Sequence, residues 1–320
     1  MKTLKAVPPY IHPGHLNFKL APYEAWVKYG GQVAKPHYPW RAFHGLAYRR
    51  ELPSWNLFKS KKEARLRFVE PLKISFDTFP DYATHEIILF VWDCWPFLFE
   101  RLCAFINRHH IRTAIFTCRE SANSIKERFP NMNIMYCPEG VDSSVYYNGG
   151  LLSERTIDLL EFGRPLFKYV SMDTTKYDKM CDTINYIRTS SLKKRLTDQE
   201  LFQAMSNSKT TICYPHCTTE PKWCGSLETL TQRYWECMLS RIVILGHAPK
   251  ELTDLIGYNP CIEVDFNSNS LANKVTEVLE HINDFQELVD KNRETAERMA
   301  DWSYRMIDVK QFLSDSGYNC

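Results

Sequence analysis

The feature that most constrains the fold is a rhythm that sets in near residue 72, where short apolar runs alternate with stretches of helical periodicity. A continuous apolar run has no polar face to turn to water. It therefore fits a strand covered on both sides, and the amphipathic segments between such runs supply the cover. The pattern predicts parallel strands joined by crossover helices. Ile87 to Trp92 reads as one such strand, and Asp93 and Pro96 close it. A helix over Phe97 to Arg108 follows, with Phe97, Leu98, Cys103 and Ile106 among its apolar positions. A strand over Ile111 to Thr117, a helix over Ser121 to Arg128 and a strand over Asn133 to Tyr136 complete a βαβαβ half of the nucleotide-binding kind.

Between Cys137 and Arg155 the text turns to Cys-Pro-Glu-Gly-Val-Asp and Tyr-Tyr-Asn-Gly-Gly, rich in turn formers, and a domain boundary is expected there. The first domain is read as residues 1–145, of which 1–70 form an irregular, aromatic-rich segment. The second is read as 146–295. Its strands are expected over Thr156 to Phe162, Asn185 to Thr189, Thr210 to Tyr214, Ile242 to Leu245 and Cys261 to Val264. The capping box Thr197-Asp-Gln-Glu200 starts a helix over Asp198 to Met205, and further helices are expected over Leu230 to Leu239 and Pro249 to Leu255. Ser270 to about Leu313 reads as almost wholly helical, and a last helix within 296–320 is expected to cross back to the first domain. The fold class is α/β: two facing Rossmann-like βαβ domains, a cleft between them and a helical C-terminus.

Charge and composition remove several classes of function. Forty basic and 38 acidic residues leave a formal charge of only +2, so no basic excess exists to follow a polyphosphate track, and nucleic acid is not expected as a partner. The most apolar run, Ile87 to Phe99, contains Asp93 and Pro96 and falls short of the roughly 18 apolar residues a spanning helix needs. Eleven scattered cysteines and the lack of an apolar core in Met1 to Pro9 point to a reducing, cytoplasmic setting. Tyr10, Tyr23, Trp26, Tyr38, Trp40, Phe43, Tyr48 and Trp55 stand among prolines and basic residues. They fit either an irregular cap on a core or a peripheral contact with a lipid surface or lipid-linked acceptor at the inner face of a membrane.

The most informative window is Ser226 to Gly246. Thr229 and Gln232 have capping-box spacing, which would start the helix at Leu230. Leu230, Tyr234 and Met238 recur at steps of four, as do Trp235 and Leu239, and form its apolar stripe; Arg233 and Glu236 share the opposite side. Free N–H groups at a helix start beside an arginine suit a pyrophosphate, and a carboxylate one turn on can accept the hydroxyl protons of a ribose. The same pair also fits a plain solvated ion pair. Asp93, after a buried strand, is either a cap for the following helix or an acceptor-side carboxylate at the carboxyl edge of a sheet. Cys213, His216, Cys217 and Cys224 lack a Cys-x2-Cys pair, so the loop from Tyr214 through His216 to Trp223 is read as lining a nucleotide pocket, and no metal is expected.

Glu228 and Glu236 stand as Glu-x7-Glu, followed by an apolar strand ending in Gly246, and Thr231-Gln-Arg233-Tyr-Trp-Glu236 reads as Thr-x-Arg-x-x-Glu. This arrangement resembles the C-terminal domain of GT-B glycosyltransferases, including those similar to spore-coat maturation glycosyltransferase-like proteins. The resemblance covers roughly residues 85 to 300. It implies that Glu236 holds the nucleotide ribose and that Glu228 lies by the transferred sugar. Gly163-Arg164-Pro-Leu-Phe-Lys168 looks like the Gly-Arg turn after the first strand of that domain, which implies that Arg164 and Lys168 reach the diphosphate. Pro138-Glu-Gly-Val-Asp142 resembles the turn that leads into the interdomain linker. The sequence departs from the family in one respect: the usual Glu-Gly-Phe-Gly context is absent, and Glu228 follows Gly225-Ser226.

The resemblance implies a glycosyltransferase that takes sugar from a nucleoside diphosphate and gives it to a glycan, lipid-linked or other hydroxyl acceptor. It implies no cofactor and no metal, because fixed cations and helix N–H groups offset the phosphate charge. Retention at the anomeric carbon is the expected outcome. The residues expected to act are Glu228 and Asp93 in catalysis, and Arg164, Lys168, Tyr214, His216, Thr231, Arg233 and Glu236 in nucleotide-sugar binding. A non-catalytic polysaccharide-assembly protein of the same fold and a nucleotide-sugar epimerase are the alternatives.

Overall fold

The computed structural model describes residues 1–9, 19–35, 59–169 and 171–320. The expectations placed on Tyr10, Tyr38, Trp40, Phe43, Tyr48 and Trp55 lie outside the described residues. In chain order the strands are β1 (Lys2–Ala6), β2 (Glu63–Val69), β3 (Glu86–Val91), β4 (Thr113–Phe116), β5 (Asn133–Tyr136), β6 (Ile157–Glu161), β7 (Tyr186–Arg188), β8 (Ser208–Cys213), β9 (Val243–Gly246), β10 (Cys261–Glu263) and β11 (Tyr318–Asn319). They form two sheets, β11-β1-β2-β3-β4-β5 and β10-β9-β8-β6-β7, and every pairing in both is parallel. The chain divides into two compact units, Met1–Glu139 with Trp302–Cys320, and Gly140–Asp301.

In the first unit β3 shows why an unbroken apolar run is needed. Side chains alternate across a strand, so Ile87, Leu89 and Val91 pack on one face with Leu102, Phe105 and Ile106 of the helix Phe99–His109. Ile88, Phe90 and Trp92 pack on the other face with Trp302, Met306 and Val309 of the helix Trp302–Asp315. That C-terminal helix thus belongs to the core of the first unit. Three strands of this sheet, β1, β2 and β11, were not read from the sequence. In β2 the charged residues Glu63, Arg65 and Arg67 alternate with apolar ones, but the arginines are largely buried through ion pairs: Arg67 Nη1 lies 2.7 Å from Asp81 Oδ2, and Arg65 Nη2 lies 2.8 Å from Glu63 Oε2. β1 is buried against the helix Leu20–Lys28, whose Trp26 lies in the core and donates its indole N–H to the Gln32 carbonyl at 2.9 Å.

The second unit repeats the layering. Val243 and Leu245 of β9 pack with Leu271, Val275 and Val278 of the helix Ser268–Glu280. Ile244 faces the opposite layer, with Tyr234, Trp235 and Met238 of the helix Gln232–Leu239 and Ala296 of the helix Gln286–Met299. The capping box at Thr197 forms in full: the Thr197 hydroxyl accepts the Glu200 N–H at 3.2 Å, and Glu200 accepts the Thr197 N–H at 2.7 Å. The long helical stretch at the C-terminus is cut into three helices, with breaks at His281 to Phe285 and at Ala300 and Asp301. Asp301 accepts the Ser143 N–H at 2.9 Å and its hydroxyl at 2.8 Å. Among the described residues no helix is long and apolar enough to cross a membrane.

One buried cation ties the loop before β6 to two other elements. The Arg155 guanidinium, in a residue only 4 % exposed, donates to the carbonyls of Ser208 (2.8 Å), Ser240 (3.2 Å) and Gly150 (3.1 and 3.2 Å). Arg155→Met keeps the apolar stem and strands those carbonyls, so we expect it to cost about 2–4 kcal/mol in urea unfolding. A loss smaller than about 0.5 kcal/mol, the range of an indifferent surface change, would contradict that role.

Candidate functional site

In an open α/β sheet the ends of the strands leave a row of loops at the carboxyl edge, and ligands collect there. In the second unit this edge carries Phe162 to Lys168 after β6, Tyr214 to Cys224 after β8, His247 after β9 and Val264 to Phe266 after β10. Of the nine residues expected to act, Arg164, Lys168, Tyr214 and His216 fall on this edge, Glu228 and Thr231 in the segment leading into the helix Gln232–Leu239, and Arg233 and Glu236 in that helix. The ninth, Asp93, follows β3 in the first unit and holds the left-handed φ of +50°.

Three cationic or titratable side chains converge. Gly163 sits at φ +76°, and a side chain there would collide with the guanidinium of Arg233. That guanidinium also lies over the Phe162 ring, 5.6 Å from its centroid. Burial, and then the positive charge of Arg164, lower the pKa of His216; Arg233 adds to the effect, and the Glu220 carboxylate, 2.9 Å from His216 Nε2, works against it. Arg164, His216 and Arg233 therefore share one neighbourhood. The thiol of Cys213 lies there too, pushed up by burial and drawn down by both arginines.

The helix that carries Arg233 begins at Gln232, not at Leu230 as the sequence predicts. The helix start expected from the Thr229 and Gln232 spacing does not form, and a distant carboxylate holds the segment instead. Buried Glu251 accepts the Leu230 N–H at 2.9 Å and the Thr229 hydroxyl at 3.2 Å. In return, the Lys250 N–H donates to Glu228 Oε2 at 2.8 Å. This exchange holds the segment in extended form up to Thr231, which occupies the N-cap position without a side-chain capping bond.

The two glutamates of the Glu-x7-Glu pattern have different surroundings. Glu236 accepts the Tyr146 hydroxyl at 3.1 Å. Burial pushes its carboxyl above the ordinary value, while Arg233 and the Tyr146 bond pull it back. Glu236 is thus no exposed partner in a solvated pair. Glu228 meets His247 instead: His247 Nε2 lies 2.9 Å from Glu228 Oε1, and Nδ1 lies 2.9 Å from Glu263 Oε2. Tyr214 is buried and spends its hydroxyl on the carbonyls of Val264 (2.7 Å) and Asp265 (3.2 Å), so only its ring lines a cavity of about 340 Å³ with His247, Glu263 and Phe266. Lys168 is exposed, its ammonium 5.1 Å from the Tyr169 ring centroid.

Sequence reasoning missed Tyr146, His247, Glu251 and Glu263. Only His247 left a local signal, a polar residue directly after an apolar strand ending in Gly. Among the described residues no group of three or more His, Cys, Asp or Glu side chains is arranged to hold a metal ion. Cys213 and Cys224 are buried.

No family model matches the sequence, and no curated protein matches it at significance. Solved structures do share its fold. HepE of Anabaena, in complex with UDP and glucose, superposes with a TM-score of 0.63 at 10% identity over 98% of this chain and 100% of its own. AviGT4, a glycosyltransferase involved in avilamycin A biosynthesis, gives 0.56 at 10% identity over 99% of each chain. TarM gives 0.54 at 12% identity over 81% of this chain, which spans 56% of TarM. The likeness places the chain in the two-domain GT-B fold.

The His247 bridge has a pH signature. Burial lowers its pKa, but the hydrogen bonds and charges of Glu263 and Glu228 outweigh this and raise it above the ordinary value. A group raised on folding stabilises fully below its unfolded value, about 6.5, and stops doing so as pH rises through the folded value. The advantage of the wild type over His247→Gln in urea unfolding should therefore shrink as pH climbs from about 6 to about 9. A constant or growing difference would mean that no histidine cation is held there.

Proposed function

We propose that the chain is a glycosyltransferase that moves a sugar from a nucleoside diphosphate to a hydroxyl acceptor, with the diphosphate on the carboxyl edge of the second sheet. The observation that carries this reading is the convergence of Arg164 and Arg233 across Gly163, at the start of the helix Gln232–Leu239. Two guanidiniums beside a helix N-terminus make a field suited to an anion of two or more charges. Such a site serves the chemistry directly. When the bond between the anomeric carbon and the phosphate oxygen breaks, negative charge grows on the leaving diphosphate, and fixed donors stabilise it without a metal.

The remaining roles follow from position. Glu236, held by Tyr146, accepts ribose hydroxyls through its carboxylate. Glu228, fixed by His247 and the Lys250 N–H, faces the transferred sugar, and retention is the stereochemical outcome we favour. Lys168, His216 and Thr231 contribute around the phosphates, and the ring of Tyr214 lines the cavity beside them. Asp93 serves the acceptor from the first unit. The fold supports this reading: HepE has been solved with UDP-glucose, and TarM with UDP and alpha-GlcNAc-glycerol.

The test is thermal shift against a panel of nucleoside diphosphates. A uridine or guanosine diphosphate at about 100 times its dissociation constant should stabilise the protein by roughly 2.7 kcal/mol. Arg233→Ala should weaken that ligand about 10- to 100-fold, the value of a charge-assisted contact with phosphate. A shift that survives the substitution would remove Arg233 from the site. Product analysis then separates the chemistries: a new glycosidic bond means transfer, and an isomerised nucleotide sugar means epimerisation.

A further inference from the structure

A second cavity on the second unit, about 400 Å³, is lined by Lys168, Tyr169, Ser171, Glu220, Lys222 and Trp223. Its composition is unusual for a solvated surface. Trp223 and Tyr169 remain 49 % and 47 % exposed, although large aromatic rings gain most from burial. Two ammonium groups stand with them, and Lys168 already lies over the Tyr169 ring. The acid in the lining, Glu220, turns toward His216, its carboxylate 2.9 Å from His216 Nε2. The backbone under Trp223 is pinned, since its N–H donates to the Glu220 carbonyl at 3.0 Å and the Gly225 N–H to the Pro221 carbonyl at 2.8 Å. The rings and cations are therefore presented from a short, hydrogen-bonded support.

Flat apolar rings facing water bind a ligand with a flat apolar face and a polar edge, and the C–H face of a pyranose is such a surface. Lysines beside them select an acidic group. We propose that this cavity is a subsite for a saccharide carrying a carboxylate or a phosphate, its ring against Trp223 and Tyr169 and its acid between Lys168 and Lys222. The inference rests on the glycosyl-transfer reading for its substrate class: it makes the acceptor, or the chain being extended, an acidic glycan. Lys168, four residues after Arg164, is common to this cavity and to the diphosphate reading. The sequence sets Trp223 at the end of a loop read as lining the nucleotide pocket, whereas here Lys222 and Trp223 line this cavity and stand outside the residues assigned to the diphosphate.

The test titrates the intact protein by calorimetry with four probes: a disaccharide ending in glucuronic acid, the same disaccharide ending in glucose, glucose 6-phosphate, and UDP. At least one acidic probe should bind about tenfold or more tighter than the neutral disaccharide, a difference of about 1.4 kcal/mol. Which acidic probe binds tighter separates a uronate from a sugar phosphate. Trp223→Ala should weaken the acidic probe about tenfold and Lys222→Gln about three- to fivefold, the range of a stacked ring and an exposed ion pair. Both variants should keep their melting temperature and their UDP affinity within about twofold. Equal binding of acidic and neutral disaccharides would overturn the proposal, as would no acidic binding up to about 10 mM, where contacts are worth under 3 kcal/mol. A loss of UDP affinity in Trp223→Ala would overturn it too, because the cavity would then belong to the nucleotide. A protein that binds the acidic probe but no nucleotide would defeat the phosphate site and leave this one standing.

Discussion

The place of Arg233 depends on a side chain that is missing. At Gly163 the backbone turns at φ +76° immediately beside the guanidinium, and any Cβ there would meet it. Glycine both reaches that conformation without strain and leaves the space open. The turn is anchored just upstream. Buried Glu161, the last residue of β6, accepts from the hydroxyls of Tyr186 (2.7 Å) and Tyr177 (3.5 Å), from Arg188 Nε (3.3 Å) and from the Leu166 N–H (3.3 Å). A fixed turn on one side and a fixed helix start on the other bring Arg164 and Arg233 together. Like charges held close raise the local potential, and an anion relieves it.

Preorganisation of this kind comes from exchanges between segments far apart in the chain. Glu228 and Glu251 reach across the same gap in opposite directions, one accepting the Lys250 N–H and the other the Leu230 N–H. The helix carrying Arg233 and Glu236 therefore starts from a segment that cannot slide along its axis. Tyr146 holds Glu236, and His247 holds Glu228 between itself and the start of the next helix. Carboxylates fixed in this way keep their orientation without bound ligand, and that is the condition under which electrostatic stabilisation costs no reorganisation.

The framework was legible where one local signal decides the outcome. β3 is apolar from Ile87 to its end because both of its faces are covered, and the Thr197 capping box forms because both partners lie within one turn. Legibility failed where long-range partners override local preference. Glu251, more than twenty residues away, accepts the Thr229 hydroxyl and the Leu230 N–H and holds in extended form a segment whose local spacing reads as a helix start. In β2 the charges of Arg65 and Arg67 conceal a strand, since nothing nearby in sequence announces that Asp81 will neutralise them. Spacing alone left Arg233 and Glu236 open between a ligand site and a surface pair, and only resemblance to a known motif set Arg164 beside them. The His247 bridge was out of reach for the same reason, because Glu228 and Glu263 lie 19 and 16 residues from it.

On the reading proposed above, two guanidiniums and one helix start form the seat of a diphosphate. A crystal structure of the protein soaked with UDP tests it most directly. Phosphate oxygens should lie about 2.7–2.9 Å from guanidinium nitrogens of both Arg164 and Arg233, with a ribose hydroxyl on Glu236. Diphosphate density in the Trp223 cavity or along the His247 and Glu263 rim, with both guanidiniums uncovered, would contradict the account.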